Sequence, residues 1–330
     1  MTDNDDADWF ERALRESADS EDDVTESDAT TEQPTEDVSD PDSGGPSEED
    51  SSLFEDDFSS ALRDVEFPGD ESTSPPDEMD LPPGSPDGEE FADEDPESEI
   101  PRIELGIDGL DAMIRGGIPE QSLITTIGSA GSGKTTFGLQ FLNQGLQQGE
   151  RGVFITLEES KRRVVRSATE KGFPYDEYIK DGRLAIVDID AVDMAHSLQS
   201  IRSDLPRLIN DFDASRLVLD SVSLLEMMFE TRAERRNEIY NFTNALKEAG
   251  VTTMMTSEAS DDNPYVSRYG IVEYLTDAVF ILQYIRPKNF EETRMGVEIQ
   301  KIRDAHHSRE TKPYEISDTG ISVYQRATIF

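Results

Sequence analysis

Apolar and polar positions divide the chain into two parts near residue 100. Between residues 123 and 257, short apolar runs of the kind that form buried strands alternate with longer segments whose apolar residues recur at helical spacing. The apolar runs are 123–127, 152–157, 184–188, 216–220 and 252–257, and the helical segments between them begin near 137, 160, 195 and 233. Strands that alternate with helices predict an α/β fold, in which helices cover both faces of a mostly parallel, twisted sheet.

The pattern changes after residue 257, where apolar runs follow one another without long helical segments between them. These runs are 278–284, 295–302, 314–316 and 321–324. They are typical of a β-meander, and we expect them to extend the same sheet with antiparallel strands. The sequence contains no internal repeat, so we expect one folded domain over residues 101–330.

The first hundred residues have a different composition. They hold 38 of the 73 acidic residues but only three arginines and no lysine, so they account for −35 of the formal net charge of −43. They also hold ten of the 17 prolines and few apolar residues. Such a segment buries too little apolar surface to offset its chain entropy, and we expect a disordered acidic tail over residues 1–100.

Two short segments of this tail, 8–17 and 51–66, carry apolar residues at helical spacing among the acids. Three interpretations stay open for them. Each segment folds onto the groove of a protein partner, packs on the folded domain of its own chain, or contacts nothing.

Composition narrows the classes of protein. The chain has no cysteine, which excludes disulfides, Cys-ligated zinc and thiol chemistry. Its acidic first residues do not resemble a signal peptide, and no apolar run approaches the ~20 residues that span a bilayer, so we expect a cytoplasmic protein. Beyond residue 100 there are 19 arginines and 8 lysines, and acids stay in excess. This composition resembles that of salt-loving archaea, and we expect a haloarchaeal source.

Residues 128–135 read Gly-Ser-Ala-Gly-Ser-Gly-Lys-Thr and fit the phosphate-loop pattern of a glycine, four residues and Gly-Lys-Ser/Thr. A strand precedes this motif and a helix follows it, as the motif requires; the alternative is a flexible Gly/Ser turn. Backbone N–H groups of such a loop face an anion, Lys134 reaches the β- and γ-phosphates, and the Thr135 hydroxyl coordinates Mg²⁺. We therefore predict ATP and Mg²⁺ as cofactors. The predicted nucleotide-binding residues are Gly128, Ser129, Ala130, Gly131, Ser132, Gly133, Lys134, Thr135 and Thr136.

Three acids end predicted strands. Asp220 ends an apolar run, where a carboxylate holds Mg²⁺ directly or through water; the alternative is a helix N-cap. Ligands gather at the carboxyl ends of parallel strands, so at least one of Glu158 and Glu159 is expected to face the γ-phosphate, and we predict both as catalytic residues with Lys134. Paired acids also occur in the first turn of a helix, where they favour its dipole. Ser257, at the end of a later strand, is predicted to sense the γ-phosphate.

Six motifs follow one another in the predicted folded domain. They are residues 106–111 with 116–119, 128–135, 154–160, 217–223, 268–273 with 276–277, and 301–307. Through these motifs, residues 101–330 resemble the KaiC domain, an ATPase module of the RecA superfamily, and the resemblance does not include the tail. This resemblance implies a RecA-like P-loop fold and a ring in which nucleotide lies between neighbouring subunits. It also implies that Glu159 is the general base that activates water, with Glu158 beside it.

The resemblance further implies that basic side chains act on the neighbouring subunit. Lys301, Arg303 and His307 fit a Lys-x-Arg-x₃-His pattern and would reach the neighbour's γ-phosphate, as arginine fingers do. The chain departs from the clock protein of the family, which carries two such domains. Where the second of those domains is autophosphorylated on Ser-Thr, this chain has Glu273-Tyr274, so timekeeping and self-phosphorylation are not expected.

Three functions stay open. The first is an ATPase that regulates a protein partner through ATP-dependent assembly into a homo-oligomer, a dimer or a ring such as a hexamer, with the acidic tail as the expected partner-binding segment. The second is an ATP-sensing scaffold with negligible turnover. The third is a recombinase or DNA-repair protein. The third is disfavoured, and no nucleic-acid partner is expected, because the tail repels phosphate backbones and a basic accessory domain is missing.

Overall fold

The structure is a computed structural model that describes residues 100–286 and 293–325. The predicted disordered tail and its two amphipathic segments lie outside these ranges and stay predictions. The strands are β1 (Arg102–Ile103), β2 (Ile114–Arg115), β3 (Ile118–Pro119), β4 (Leu123–Gly128), β5 (Gly152–Thr156), β6 (Leu184–Asp188), β7 (Arg216–Asp220), β8 (Thr252–Glu258), β9 (Ala278–Ile285), β10 (Arg294–Ile302), β11 (His306–His307), β12 (Lys312–Ser317) and β13 (Gly320–Val323).

The helices follow the predicted strands of the first part of the domain. They are α1 (Lys134–Gln147), α2 (Lys161–Thr169), α3 (Tyr175–Lys180), α4 (Ala191–His196), α5 (Leu198–Phe212), α6 (Val222–Met227), α7 (Arg232–Glu248) and α8 (Val272–Leu275). The single helix expected from 195 to 212 is two helices. The first begins earlier because the Asp190 carboxylate caps it, accepting the Val192 amide at 2.8 Å.

Nine strands form one sheet in the order β13–β12–β10–β9–β4–β8–β7–β5–β6. The six strands from β9 to β6 are parallel, and β10, β12 and β13 are antiparallel to their neighbours. This arrangement confirms the predicted α/β fold. One detail of the prediction was wrong: β9 is antiparallel to β10 but pairs in parallel with β4. The segment between β8 and β9 is long enough for the crossover that parallel strands require.

Buried apolar side chains pack on both faces of the sheet. On the face that α1 covers, Phe137 packs with Phe154 and Val218, and on the other face α5 and α7 cover Leu217 and Leu219. Alternate residues of β7 thus enter different clusters, as the period of two requires. Each fully buried side chain of this kind contributes roughly 1.5–3 kcal/mol to stability. Because the central strands are parallel, the loops after β4, β5, β7 and β8 all lie at one edge.

Arg216 begins β7 at the opposite edge of the sheet and is only 1% exposed. Its Nε and Nη2 donate to the two carboxylate oxygens of Glu150, at 2.7 and 3.3 Å. Its Nη1 donates to the carbonyls of Glu104 and Phe141, at 2.9 and 3.0 Å. With these four donated bonds, Arg216 ties the first segment of the domain, α1 and β7 together.

The segment before β4 contains the first family motif and pairs with a strand of the last one. The Asp111 carboxylate accepts the amides of residues 105–107 at 2.7, 2.9 and 3.0 Å, which fixes the turn that starts the first family motif. β2 pairs with β11, so this motif also holds the last one in place. Gly109 has a φ of 83°, and a Cβ there would lie 2.0 Å from the carbonyl oxygen of Val323. Over the described ranges, no helix is long and apolar enough to cross a membrane.

Candidate functional site

The phosphate loop (Gly128–Thr135) connects the end of β4 to the start of α1. Gly131 and Gly133 have φ values of 78° and 90°, which glycine adopts without strain. A Cβ at Gly133 would also lie 2.6 Å from Cδ1 of Ile316. α1 begins at Lys134, and its first N–H groups have no partner inside the helix. The loop therefore presents backbone donors and the positive end of a helix dipole, which together favour an anion.

Lys134 is folded back over its own loop. Its Nζ donates to the carbonyls of Gly128 and Ser129, at 3.0 and 3.2 Å. Burial lowers the pKa of Lys134, and the nearby carboxylates of Asp220, Glu158 and Glu258 oppose this shift. The ammonium group thus lies among acids at the carboxyl edge of the sheet, where a bound phosphate would offer it stronger acceptors than two carbonyls.

Asp220 lies directly under the start of α1 and is 3% exposed. One carboxylate oxygen accepts from Thr135 Oγ1 at 2.7 Å, and the other accepts from Thr256 Oγ1. Burial raises the pKa of Asp220, while the two hydroxyl bonds and Lys134 oppose that effect. The structure therefore brings together the two residues predicted to hold the metal, Thr135 and Asp220.

These oxygen donors fit Mg²⁺, which prefers one or two carboxylates completed by substrate phosphates and water over an all-protein cage. In residues 100–286 and 293–325, no group of three or more His, Cys, Asp or Glu side chains is arranged to hold a metal. A cation at Thr135 and Asp220 would therefore take its remaining ligands from nucleotide and solvent.

Glu158 and Glu159 follow β5 at the same edge. The Thr156 hydroxyl accepts the amides of Glu158 and Glu159 at 3.3 and 3.0 Å, which ends the strand in a turn. Glu158 accepts from Ser221 Oγ at 2.7 Å, and Glu159 pairs with Arg163 at 3.0 Å. Glu158 lies close enough to Lys134, and Glu159 close enough to Asp220, for its charge to act on the pKa of that neighbour.

Ser257 is not brought to this group. Its side chain is fully buried, and its Oγ lies 3.1 Å from Ser223 Oγ and donates to the Glu258 carbonyl. Adjacent residues of a strand face opposite sides, and it is Thr256 that contacts Asp220. Sequence reasoning missed Thr256. The alternation of side chains along a strand predicts that either Thr256 or Ser257 faces α1, but the sequence alone does not show which of them does.

Of the three basic residues predicted to act on a neighbour, Lys301 and Arg303 are bonded within their own chain. Lys301 Nζ donates to the carbonyls of Glu273 and Thr276, at 2.7 and 2.6 Å, and burial together with Arg303 lowers its pKa. Arg303 pairs with Asp277 at 3.1 Å. His307 lies on β11, and its buried Nδ1 has no hydrogen-bond partner among the residues described. Their action on a second subunit stays a prediction.

Glu226 on α6 is a buried carboxyl that sequence reasoning missed. It is fully buried, and neither carboxyl oxygen has a hydrogen-bond partner in the described part of the chain. Burial raises its pKa to about 8, the Glu273 carboxylate acts in the same direction, and Arg235 opposes both. The signal in the sequence is a lone acid inside the run Leu-Leu-Glu-Met-Met.

The folded domain matches a known protein family. The family described as "ATPase: KaiC" matches residues 103–328, which is most of the chain. The chain belongs to the KaiC family of ATPases. Its KaiC domain contains all the described parts of the site, from the phosphate loop to β11.

The KaiC relatives are longer than the part that matches. The chain is 33% identical to "Circadian clock oscillator protein KaiC" of Prochlorococcus marinus subsp. pastoris over 233 residues, covering 68% of this chain and 45% of that protein. The same protein of Acaryochloris marina is 32% identical, with 68% and 44% covered. The chain thus spans less than half of the length of these relatives.

A solved structure has the same fold. The crystal structure of a KaiC-like protein from the hyperthermophilic archaeon Pyrococcus horikoshii is 36% identical, with a TM-score of 0.61. The match covers 68% of this chain and 99% of the archaeal protein. A separate KaiC-like chain therefore exists with about the extent of the domain described above.

Proposed function

We propose that this chain binds ATP with Mg²⁺ at residues 128–136 and hydrolyses it. One observation carries the proposal: Lys134, the Thr135–Asp220 pair and two glutamates converge around a glycine loop at the carboxyl edge of a parallel sheet. Separate strands supply these groups, and together they are the parts that phosphoryl transfer to water requires. Membership in a family of ATPases supports the same proposal of ATP binding and hydrolysis.

The residues have distinct roles in this proposal. Thr135 and Asp220 hold Mg²⁺, which neutralises charge on the phosphates. Lys134 leaves the carbonyls of Gly128 and Ser129 and donates to phosphate oxygens. Glu159 accepts a proton from the water whose oxygen bonds to the γ-phosphorus, while the bridging P–O bond breaks and ADP departs with that electron pair.

Assembly is part of the proposed function. Lys301, Arg303 and His307 of one subunit complete the site of the next and stabilise charge that develops on the γ-phosphate. Arg303 supports this role, because half of its side chain is exposed although it pairs with Asp277. We propose a homo-oligomer, a dimer or a ring, whose ATP-dependent state regulates a protein partner that the acidic tail binds.

The acidic, lysine-poor composition fits a salt-loving archaeal host.

A second candidate is an ATP-sensing scaffold with little turnover. Two observations favour it: Glu159 is engaged by Arg163, and Lys301 is engaged by carbonyls of its own chain. Hydrolysis then requires both bonds to open, whereas ATP binding requires neither. The two candidates differ in rate and in whether assembly creates activity.

Mixing two inactive variants separates the candidates. Glu159→Gln and Arg303→Ala should each bind ATP but hydrolyse it about 10²-fold more slowly than wild type, because general-base and arginine-finger groups contribute at least that much. Mixed in equal amounts, they should regain part of the activity, since one interface in the mixed oligomer has both groups intact. Glu158→Gln is the matched control and should lose less activity than Glu159→Gln.

The measurement is steady-state phosphate release, with ATP binding determined separately. Wild type and Glu159→Gln with equally low release would leave only the scaffold. A mixture no more active than its parts would contradict action across the interface, and a wild type that does not bind ATP would contradict both candidates.

A further inference from the structure

Two side chains of β12 lie directly beneath the phosphate loop. Tyr314 is 4% exposed, and its hydroxyl donates a 2.6 Å hydrogen bond to the carbonyl of Ser132. Ile316 lies two residues along the strand, so it faces the same side, and its Cδ1 occupies the space below Gly133. An antiparallel strand from the far end of the chain therefore forms the floor of the loop.

The bond from Tyr314 fixes the direction of one loop amide. The C=O and N–H of a trans peptide point in opposite directions, and the Ser132–Gly133 peptide is trans. Because the Ser132 carbonyl points at Tyr314, the N–H of Gly133 points away from the floor. Gly133 is the last residue before α1, at a position where loop amides face the phosphates of a nucleotide.

We propose that Tyr314 is a positioning residue of the phosphate loop, whose hydroxyl holds the Ser132 carbonyl so that the Gly133 N–H faces bound phosphate. This inference rests on the proposed ATP binding and adds a residue that the loop motif does not contain. Burial raises the pKa of Tyr314 well above its usual range, so the hydroxyl stays protonated and remains a donor.

The hydroxyl matters because its acceptor is buried. Without it, the carbonyl of Ser132, a residue that is fully buried, loses its hydrogen-bond partner. A buried carbonyl without a partner favours rotation of its peptide, and rotation would turn the Gly133 N–H out of the concavity. The adjacent Gly133, with its unrestricted φ, offers little resistance to that rotation.

The chain offers a matched control in Tyr175. This tyrosine is also fully buried, and its hydroxyl donates to the carbonyl of Leu139 at 2.7 Å. Both hydroxyls thus bind backbone carbonyls in the segment 132–139, but Leu139 lies inside α1, beyond the loop. Loss of either hydroxyl removes one buried hydrogen bond, but only the loss at Tyr314 affects a residue of the phosphate loop.

The test compares Tyr314→Phe with Tyr175→Phe in the full-length chain. Both variants keep their ring, and their urea midpoints should fall by similar amounts. Only Tyr314→Phe should raise the dissociation constants for ATP and ADP, by about two- to tenfold, the worth of one hydrogen bond. The two nucleotides should be affected alike, because loop amides hold phosphates that both contain, and KM should rise while kcat stays unchanged.

Calorimetric titration with MgATP and MgADP supplies the dissociation constants. Equal constants in both variants, with ATP bound by the wild type, would overturn the inference and leave the proposed function standing. A fall in kcat without a change in affinity would also overturn it, because that result would assign Tyr314 to the chemical step. A wild type that binds no nucleotide would overturn the proposed function and the inference together.

Discussion

The two ends of β7 carry buried charges that the protein treats in opposite ways. At the start of the strand, Arg216 donates four hydrogen bonds, two to the Glu150 carboxylate and two to backbone carbonyls. At the end, Asp220 is held by two neutral hydroxyls, and the nearby Lys134 donates to its own loop instead. The Arg216 charge is paired and contributes to stability, whereas the Asp220 carboxylate has only hydroxyl partners, which fits its proposed role as a Mg²⁺ ligand.

A third buried ionisable group, Glu226, follows six residues after Asp220. The carboxyl oxygens of Glu226 have no hydrogen-bond partner in the described residues, and the raised pKa keeps the carboxyl group protonated near neutral pH. A bound proton thus neutralises Glu226, whereas Arg216 is neutralised by an ion pair and Asp220 is stabilised by two hydroxyl groups. The three residues therefore show three ways of accommodating an ionisable group in the interior.

The largest effect is expected at Arg216. Arg216→Met should lower the free energy of unfolding by about 3–5 kcal/mol, because it leaves Glu150 and two carbonyls without their partner. Urea denaturation measures this loss. Arg216→Met combined with Glu150→Met should recover much of it, since replacing both partners of a buried ion pair by apolar groups is often neutral. A double variant as unstable as the single one would show that the carbonyl bonds, and not the ion pair, stabilise this edge.

A smaller effect of a different kind is expected at Asp220. Asp220→Asn should reduce ATP hydrolysis about 10²-fold, near 2.7 kcal/mol in the barrier, because an amide does not replace a carboxylate as a Mg²⁺ ligand. Its unfolding free energy should stay close to that of wild type, since the amide still bonds both hydroxyls. A variant that loses stability as Arg216→Met does would remove the distinction between the two ends of β7.

The smallest effect concerns Glu226. Its folded pKa of about 8 lies above the ordinary 4.5, so its contribution to stability is complete at low pH and is lost as pH rises from 4.5 to 8. Between pH 6 and pH 7, wild type should lose roughly 1 kcal/mol of unfolding free energy relative to Glu226→Gln. Urea denaturation of both proteins at the two pH values measures this difference. A difference that does not change with pH would mean that Glu226 is already ionised.

Much of this site was predictable because its signals are local. The loop motif, the apolar runs and the acids that end them lie within short segments, and parallel strands necessarily bring their carboxyl ends to one edge. The pairing of Thr135 with Asp220 follows from these elements. The direction of β9 was not predictable in the same way. It depends on the path of the connection from β8, and that path leaves no periodic pattern in the sequence.

Other features depend on contacts between distant residues. Tyr314 reaches Ser132 across 182 positions, and nothing in the sequence around either residue indicates the contact. Thr256 and Ser257 are adjacent hydroxyl residues, so choosing between them required the phase of β8 relative to α1. The roles of Lys301, Arg303 and His307 on a neighbouring subunit depend on a second copy of the chain and remain predictions.

The bonds of Lys134 and Thr135 have a consequence for the heat of nucleotide binding. Both side chains already donate to protein acceptors, the lysine to two carbonyls and the threonine to Asp220. Arrival of a triphosphate at these two residues is therefore an exchange of partners and adds few hydrogen bonds. The Gly128 carbonyl keeps the Ala259 amide when Lys134 leaves it, so little is left unsatisfied. At Lys134, the enthalpy of this exchange comes from the difference between a phosphate oxygen and a carbonyl as acceptor.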